Sequence, residues 1–412
     1  MQDEGYLQRL KAAIIIFTVV SAFTGLYSGA TDSVLANYFK EAYEVTAQQR
    51  GLIEIPREVP GILSLFVIAA FSFLRDIRTA IIAQVFGVIG MVALGLFHPG
   101  FGVMLIFLCI FSLGQHMSMP LGDSIGLSLT TRETMGRILG RFKSVNMAFG
   151  MIAGLVCFFG FRSGFFHFNT PVTIFLICGA CFFACVVLLE IMHKQFGAES
   201  ERRTETSKMV FRKEYIRYYV ISAIYGSRRQ IMYAFSPWVL IELLGFKADV
   251  MSMLGVVGAF IGIFFIPFVG KLIDRMGSRK VMLIEAMGFV VIYIVYGLLS
   301  KWVNENVVVI TGIGLFLIYL LNILDRMTSQ FYIVRSIYMK SIAITEEDVT
   351  PSLSTGMALD HVLSIIFAVI CGGVWDKWGP EYVFVIAAIL SIANFIAAYG
   401  IKKDAVVDRR KA

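Results

Sequence analysis

The chain has 412 residues, of which 58% are hydrophobic and 16% are charged. Its mean hydropathy of +0.77 lies far outside the range of soluble proteins, so the composition excludes a soluble globular protein and predicts a polytopic membrane protein. The net charge of +7 does not indicate a nucleic-acid partner, because Lys and Arg gather in the cytoplasmic loops of membrane proteins.

The start of the chain and its cysteines predict neither processing nor a cofactor. Residues 1–11 are polar, and no small-residue cleavage site follows the first apolar run, so we expect the first helix to stay in the mature protein. All six cysteines fall inside apolar spans, where cysteine most often acts as a small buried hydrophobe. We therefore expect no disulfide framework, no zinc site and no cofactor.

Hydropathy and helix breakers divide the chain into twelve predicted membrane spans. The spans cover 12–39, 48–74, 78–98, 101–129, 135–161, 169–196, 214–245, 249–274, 279–300, 305–340, 350–374 and 380–401. The polar stretch between the sixth and seventh spans indicates a cytoplasmic linker. We predict an all-α integral membrane protein with an N-terminal six-helix bundle (1–196), a linker (197–213), and a C-terminal six-helix bundle with a short cytoplasmic tail (214–412).

The distribution of Lys and Arg predicts the orientation of the chain. If residue 1 is cytoplasmic, the inner segments hold most of the basic residues and the turn at 98–100 on the other side holds none. The positive-inside rule therefore places both termini in the cytoplasm, and we expect the inner (plasma) membrane of a bacterium.

The two halves show short internal similarities at equivalent spans. Gly25-Leu26-Tyr27-Ser28-Gly29 in the first span matches Ala223-Ile224-Tyr225-Gly226-Ser227 in the seventh, and Gln115-His116-Met117 in the fourth matches Asp325-Arg326-Met327 in the tenth. Such matches are expected of a duplicated six-helix unit.

The sharpest local pattern lies between the eighth and ninth spans. It reads Gly270-Lys271-Leu272-Ile273-Asp274-Arg275-Met276-Gly277-Ser278-Arg279-Lys280. It resembles the inter-helix motif of the major facilitator superfamily, G-x-L-x-D-R-x-G-R-[KR], with Ser278 in place of one basic residue. Glycines permit a tight turn there, and Asp274 is able to cap or pair with a helix end. The resemblance implies a gating motif formed by Gly270, Asp274, Arg275, Gly277 and Arg279; the alternative is an ordinary basic loop.

Other segments extend this resemblance over the whole chain. Residues 114–120 resemble the glycine-rich fourth helix of the family, and residues 372–379 resemble the turn between its last two helices. The loop 72–78 keeps an acid and a base but lacks the glycines. The resemblance implies two pseudo-symmetric six-helix bundles around a central cavity, alternating access, and peripheral third, sixth, ninth and twelfth helices. The charged candidates for function fall in the first, second, fourth, seventh, tenth and eleventh spans, which line the cavity in that family.

Ionisable residues inside the spans are the candidates for function, because charges near the membrane centre face polar cavities and pair with each other or with cargo. In the second span Glu54, Arg57 and Glu58 share one helical face with Gly61. They contact cargo or exchange partners during transport, or they form a structural ion pair.

Two adjacent arginines in the seventh span favour an anionic cargo. Arg228 and Arg229 cannot both point to the same spot, so we interpret one as an anion anchor and the other as a pairing residue. The alternative is two interfacial arginines that extend toward the membrane surface. The predicted substrate-binding residues are Arg57, Gln115, His116, Tyr225, Arg228, Arg229 and Arg326.

Acids and histidines supply candidates for proton coupling, because burial raises carboxylate pKa values and histidine titrates near neutrality. These candidates are Asp32, Glu54, Glu58, Asp325, Asp360 and His361. His116, His361, Asp32 and Asp360 are also of metal-ligating types, but nothing fixes them at ligand spacing and nearby arginines repel cations. We therefore expect no metal site.

We predict a monomeric secondary active transporter, not an enzyme, that moves a small anionic or zwitterionic solute across the bilayer, driven by protons. The alternatives are a multidrug or lipid-like exporter, a divalent metal exporter, a polytopic membrane enzyme and a receptor without transport activity. No phosphate-binding loop of the G-x-x-x-x-G-K-[ST] type is present, which argues against direct ATP drive.

Overall fold

A computed structural model describes residues 2–71, 73–130, 134–196, 211–305, 312–345 and 348–401. Within these ranges the chain forms helices and turns and no strand. The helices are α1 (Gln2–Tyr43), α2 (Ala47–Ala70), α3 (Asp76–Leu96), α4 (Phe101–Ser128), α5 (Met135–Arg162), α6 (Thr173–Phe196), α7 (Ile216–Trp238), α8 (Ala248–Asn304), α9 (Ile313–Ser329), α10 (Ile333–Ile342), α11 (Val349–Trp378) and α12 (Pro380–Tyr399).

The helices match the twelve predicted spans when α8 is counted as two crossings and α9 with α10 is counted as one. α8 has two arms, because Gly277 has a φ of 77° and breaks the helical backbone there. α9 and α10 form one crossing, joined by a single 3-10 turn at Gln330–Tyr332. Counted in this way, the described ranges contain the twelve expected crossings.

Eight described helices are long and apolar enough to span a membrane by themselves. α2 and α7 are not among them, because both carry several charged side chains within their length. These two helices depend on polar partners elsewhere in the fold, and those partners define the site described below.

The chain divides into two compact units. Unit 1 comprises Met1–Tyr43, Val59–Thr206 and Ala248–Val256. In it α1 packs against α5 and α6, and α3 packs against α4 and α6. Small residues allow these helices to approach closely, since a Cβ atom at Gly29 would overlap the backbone of Gly150.

Unit 2 comprises Glu44–Glu58, Ser207–Lys247 and Val257–Ala412. Its central helix is α7, which packs against α10, α11 and α12. The start of α2 crosses α11 closely, because a Cβ atom at Gly372 would lie 2.7 Å from the carbonyl oxygen of Ala47. The Gln48 amide also donates to Asp376 Oδ2 at 3.1 Å.

The boundaries of these units differ from those predicted for the two bundles, 1–196 and 214–412. Residues 197–210 of the predicted linker, and the tail from residue 402, lie outside the described residues. The division at the linker therefore stays a prediction.

A group of hydrogen bonds attaches the start of α7 to the segment that precedes α11. Asp348 accepts hydrogen bonds from the Tyr215 hydroxyl at 2.8 Å and from Arg212 Nη2 at 3.0 Å. The Ile344 amide donates to the same hydroxyl at 2.9 Å. The Tyr215 hydroxyl, followed by the Arg212 guanidinium, holds the pKa of Asp348 below its usual value.

Candidate functional site

A cluster of ionisable side chains lies in unit 2, where α2, α7 and α11 pack together. We call it the arginine–acid cluster. It consists of Arg50, Glu54, Arg57, Glu58, Arg229, Gln230, Tyr233, Asp360 and His361.

Glu54 lies at the centre of the α2 part of this cluster. It is buried, and one oxygen accepts from Arg50 and, at 2.8 Å, from Arg57. The Gln230 side chain of α7 donates to its other oxygen at 2.6 Å. Because charged and amide donors occupy both oxygens, this geometry corresponds to the structural ion pair that the sequence left as an alternative. The role of Glu54 in proton coupling stays a prediction.

Arg57 connects Glu54 to the surface of the cluster. Its Nη2 donates to the hydroxyl of Tyr233 at 2.7 Å, and its guanidinium carbon lies 5.0 Å from the centre of the Tyr233 ring. The Tyr233 side chain is itself exposed. Arg57 is therefore positioned beside an exposed aromatic ring, although part of its charge is already paired.

Glu58 and His361 form a close pair between α2 and α11. Glu58 Oε2 lies 2.8 Å from Nδ1 of His361, and both side chains are almost buried. Arg57 and Arg229 lie within electrostatic range of Glu58. Two residues predicted separately for proton coupling thus share one hydrogen bond, and their roles in coupling stay predictions.

Arg228 and Arg229 point in different directions, as their adjacency in the sequence predicts. The Arg228 side chain is 0% exposed, and its Nη2 lies 2.6 Å from Glu285 Oε1. The Arg229 side chain is 42% exposed, and its Nη2 lies 3.4 Å from Asp360 Oδ2. One arginine is therefore a buried pairing residue, and the other keeps an accessible guanidinium in a looser pair.

Asp360 is held in place by its surroundings on α7 and α11. Ser364 donates to its second oxygen at 3.0 Å. Gly226 of α7 leaves the space that this oxygen occupies, because a Cβ atom at Gly226 would overlap Asp360 Oδ1. The glycine of the Tyr225-Gly226-Ser227 pattern is thus required for the position of a candidate site residue.

A second group of ionisable side chains, all of them buried, surrounds Glu285. Glu285 pairs with Arg335 at 3.2 Å as well as with Arg228. The guanidinium carbon of Arg335 lies 3.1 Å from the centre of the Tyr225 ring, and that of Arg228 lies 3.9 Å from the centre of the Phe289 ring. Tyr225 was predicted to bind substrate, and the structure places it inside this stack.

The sequence analysis missed Glu285 and Arg335. Glu285 lies in the second arm of α8, which corresponds to the ninth span and was expected to be peripheral. It is the single acidic residue inside an otherwise apolar stretch, from Val281 to Ser300, and this was the signal that could have identified it.

Asp325 and Arg326 lie in a separate polar group formed by α7, α8 and α9. Asp325 is buried, and Arg326 Nε donates to Asn322 Oδ1 at 3.1 Å. A Cβ atom at Gly258 would lie 2.7 Å from Arg326 Cδ, so this glycine provides the room for the arginine. The predicted roles of Asp325 in proton coupling and Arg326 in substrate binding stay predictions.

The remaining candidates lie in unit 1. Asp32 on α1 is exposed, and Gln115 and His116 on α4 are half-buried. His116 Nδ1 lies 2.9 Å from the carbonyl oxygen of Ser112 and 3.2 Å from its hydroxyl oxygen. Their roles also stay predictions.

The predicted gating motif forms the turn between the two arms of α8. Gly277 takes the positive φ that breaks the helix, and Arg279 donates to the carbonyl oxygen of Tyr399 at 2.9 and 3.2 Å. Asp274 and Arg275 are exposed, while Gly270 is helical with open space around it. The turn is thus attached to the end of α12 through Arg279.

Comparison with known proteins identifies the class of protein. The sequence profile of the Major Facilitator Superfamily matches residues 15–333, and the chain belongs to this family. Its fold is therefore the all-α membrane fold of that family, with twelve transmembrane helices in two six-helix bundles. The protein is an integral, multi-pass membrane transporter of small solutes rather than an enzyme. No curated protein matches the sequence.

Solved structures of other transporters share the fold at low sequence identity. A point mutant of the nucleoside transporter NupG has a TM-score of 0.77 at 13% identity, with 94% of this chain and 99% of that chain covered. A D-xylose-proton symporter has a TM-score of 0.68 at 13% identity, with 97% and 99% covered. A bacterial homologue of the iron transporter ferroportin has a TM-score of 0.68 at 11% identity, with 96% and 99% covered.

Proposed function

We propose that this protein is a proton-coupled secondary transporter of a small anionic or zwitterionic solute, which binds at the arginine–acid cluster. The observation that carries the proposal is the contrast between the two adjacent arginines of α7. Arg228 is buried and ion-paired, whereas Arg229 is 42% exposed in a pair 3.4 Å long.

An exposed, loosely held ion pair is suited to exchange with cargo. The planar guanidinium of Arg229 matches a carboxylate or phosphate group and remains charged at every working pH. Asp360 lies beside it and is able to accept an ammonium group that approaches with the carboxylate. A zwitterion would replace the Arg229–Asp360 pair with two new pairs, while a simple anion would use Arg229 alone.

The Glu58–His361 pair is the proposed proton carrier of the cluster. Within unit 2, Arg57, Arg229 and, beside Arg229, Asp360 lie close to it. When an anionic cargo neutralises Arg229, the positive charge near Glu58 decreases. Proton uptake by the pair then becomes more favourable, which links cargo binding to protonation.

The distribution of Lys and Arg supports an orientation with both termini in the cytoplasm and a location in the inner membrane of a bacterium. We also propose that the monomer is the transporting form.

Ligand-induced thermal stabilisation of the detergent-purified protein tests the proposal. The panel contains acetate, phosphate, glycine, small peptides, apolar cations and divalent metals, each at pH 5.5 and pH 7.5. We expect an anionic or zwitterionic class to stabilise the protein. Arg229→Gln should weaken that class by about 10- to 100-fold, the loss of one charge-assisted hydrogen bond.

Two matched variants separate the parts of the proposal. Asp360→Asn should weaken zwitterions and leave simple anions bound, whereas Arg162→Gln, at an exposed arginine of unit 1, should change neither. Unchanged anion and zwitterion binding in Arg229→Gln would refute the site. Stabilisation by apolar cations or metals alone would favour the multidrug or metal exporter instead.

A further inference from the structure

A groove on unit 2, separate from the arginine–acid cluster, runs along the start of α7 and the ends of α10 and α12. It has a volume of about 670 Å³, within the range of roughly 300 to 1,000 Å³ typical of ligand pockets. We call it the α7–α12 groove. Its lining includes Lys213, Glu214, Arg217, Val220, Tyr338 and Ile401.

The lining of the groove combines two kinds of side chain. Val220, Tyr338 and Ile401 provide apolar surface, and Lys213 and Arg217 provide exposed cations. Lys213 lies in the 3-10 turn that precedes α7, Arg217 lies in the first turn of α7, and both line the same groove. A ligand for this groove therefore carries an apolar chain and an anionic head.

The position of the groove corresponds to a membrane–water interface. It lies where α7 begins and α12 ends, and the exposed aromatic side chains of Phe211 and Tyr399 lie at those same ends. Aromatic rings and long basic side chains gather at this depth of a bilayer. The positive-inside rule predicts that this end faces the cytoplasm.

We propose that the α7–α12 groove binds an anionic phospholipid, with its phosphate on Lys213 and Arg217 and an acyl chain along the apolar wall. Among the described lining residues Glu214 is the single acid, against the two cations Lys213 and Arg217, and this net positive charge favours an anionic headgroup over a zwitterionic one. The chain beyond Ile401 carries more basic than acidic residues, so the same charge disfavours that tail as the occupant.

Lipid titration of the delipidated, detergent-purified protein tests this inference, with native mass spectrometry to count bound lipids. We expect phosphatidylglycerol to bind more tightly than phosphatidylcholine. Each of Lys213→Gln and Arg217→Gln should weaken phosphatidylglycerol by about fivefold, whereas Glu214→Gln should strengthen it. The matched control Lys301→Gln, at a lysine in the last turn of α8 whose side chain is 45% exposed, should change nothing.

Two further measurements identify the occupant. Val220→Trp should fill the groove and abolish phosphatidylglycerol binding, and inorganic phosphate should compete only weakly because it lacks the acyl chain. Equal binding by inorganic phosphate would show a phosphate site and overturn the lipid assignment. A several-fold gain in lipid affinity after removal of residues 402–412 would identify the tail as the occupant, and an unchanged affinity in both cation variants would also refute the inference.

Discussion

Removal of the charge on Glu285 should destabilise the protein strongly, because this carboxylate is the shared counter-ion of two buried arginines. It lies 2.6 Å from Arg228 and 3.2 Å from Arg335, and none of its side chain is exposed. Glu285→Gln keeps the shape of the side chain and removes its charge. Loss of one partner from a buried ion pair typically costs about 3–5 kcal/mol. The amide oxygen still accepts one hydrogen bond, so we expect about 3 kcal/mol.

The free energy of unfolding is measured by titration with a denaturing detergent, or followed as a melting temperature. The control is Glu305→Gln, whose carboxylate is 48% exposed and lies 3.8 Å from Lys301. An exposed pair of this kind contributes about 0–1 kcal/mol.

A double variant separates charge imbalance from lost contacts. Glu285→Gln combined with Arg335→Gln removes one buried cation together with its counter-ion, so it should be more stable than the sum of the two single changes predicts. If Glu285→Gln costs no more than Glu305→Gln, or if the double variant shows simple additivity, the counter-ion argument is wrong.

Three further predictions concern backbone space and pH. Gly226→Ala should displace the Asp360 carboxylate and destabilise the protein by about 1–3 kcal/mol, with little further loss when Asp360→Ala is added. Gly277→Ala should lower the melting temperature, because φ at this position is 77°, while Gly270→Ala, in open helical space, should leave it unchanged or raise it slightly. Stability that depends on Asp348 should be present above its unfolded pKa of about 3.9 and disappear as pH falls through the lower folded value.

Each of these has an outcome that contradicts it. The pH dependence is measured as the melting temperature between pH 3 and pH 6 for the wild type and Asp348→Asn, and two parallel curves would contradict the role of the carboxylate. Equal melting temperatures for the two α8 glycine variants would contradict the backbone argument. A large additional loss in the Gly226 and Asp360 double variant would show that the glycine acts on something other than that carboxylate.

The sequence predicted those parts of the fold that depend on local patterns. Apolar runs predicted the twelve crossings, and glycine within a basic turn predicted the break at Gly277. Helical spacing predicted that Glu54 and Arg57 share one face of α2. The adjacency of Arg228 and Arg229 in the sequence predicted that their side chains point in different directions. Each of these follows from a geometric rule that acts over a few residues.

Partners that are distant in the chain were not predictable in the same way. The counter-ion of Arg228 is 57 residues away, and the partner of Arg229 is 131 residues away. Gln230 was overlooked because a neutral amide in a membrane span is less unusual than a charged side chain. Its side chain nevertheless donates the hydrogen bond to the second oxygen of Glu54.

The polarity of α7 has a consequence for how the protein is made. Arginine at the centre of a spanning helix costs about 2.5–3.5 kcal/mol on insertion, and α7 contains two adjacent arginines near its middle. Their acidic partners, Glu285 and Asp360, emerge from the ribosome only after α7 has been synthesised. Insertion of α7 should therefore be delayed or reversible until α8 and α11 follow. A nascent chain that is stopped before Glu285 should leave α7 accessible to labelling reagents from the aqueous side.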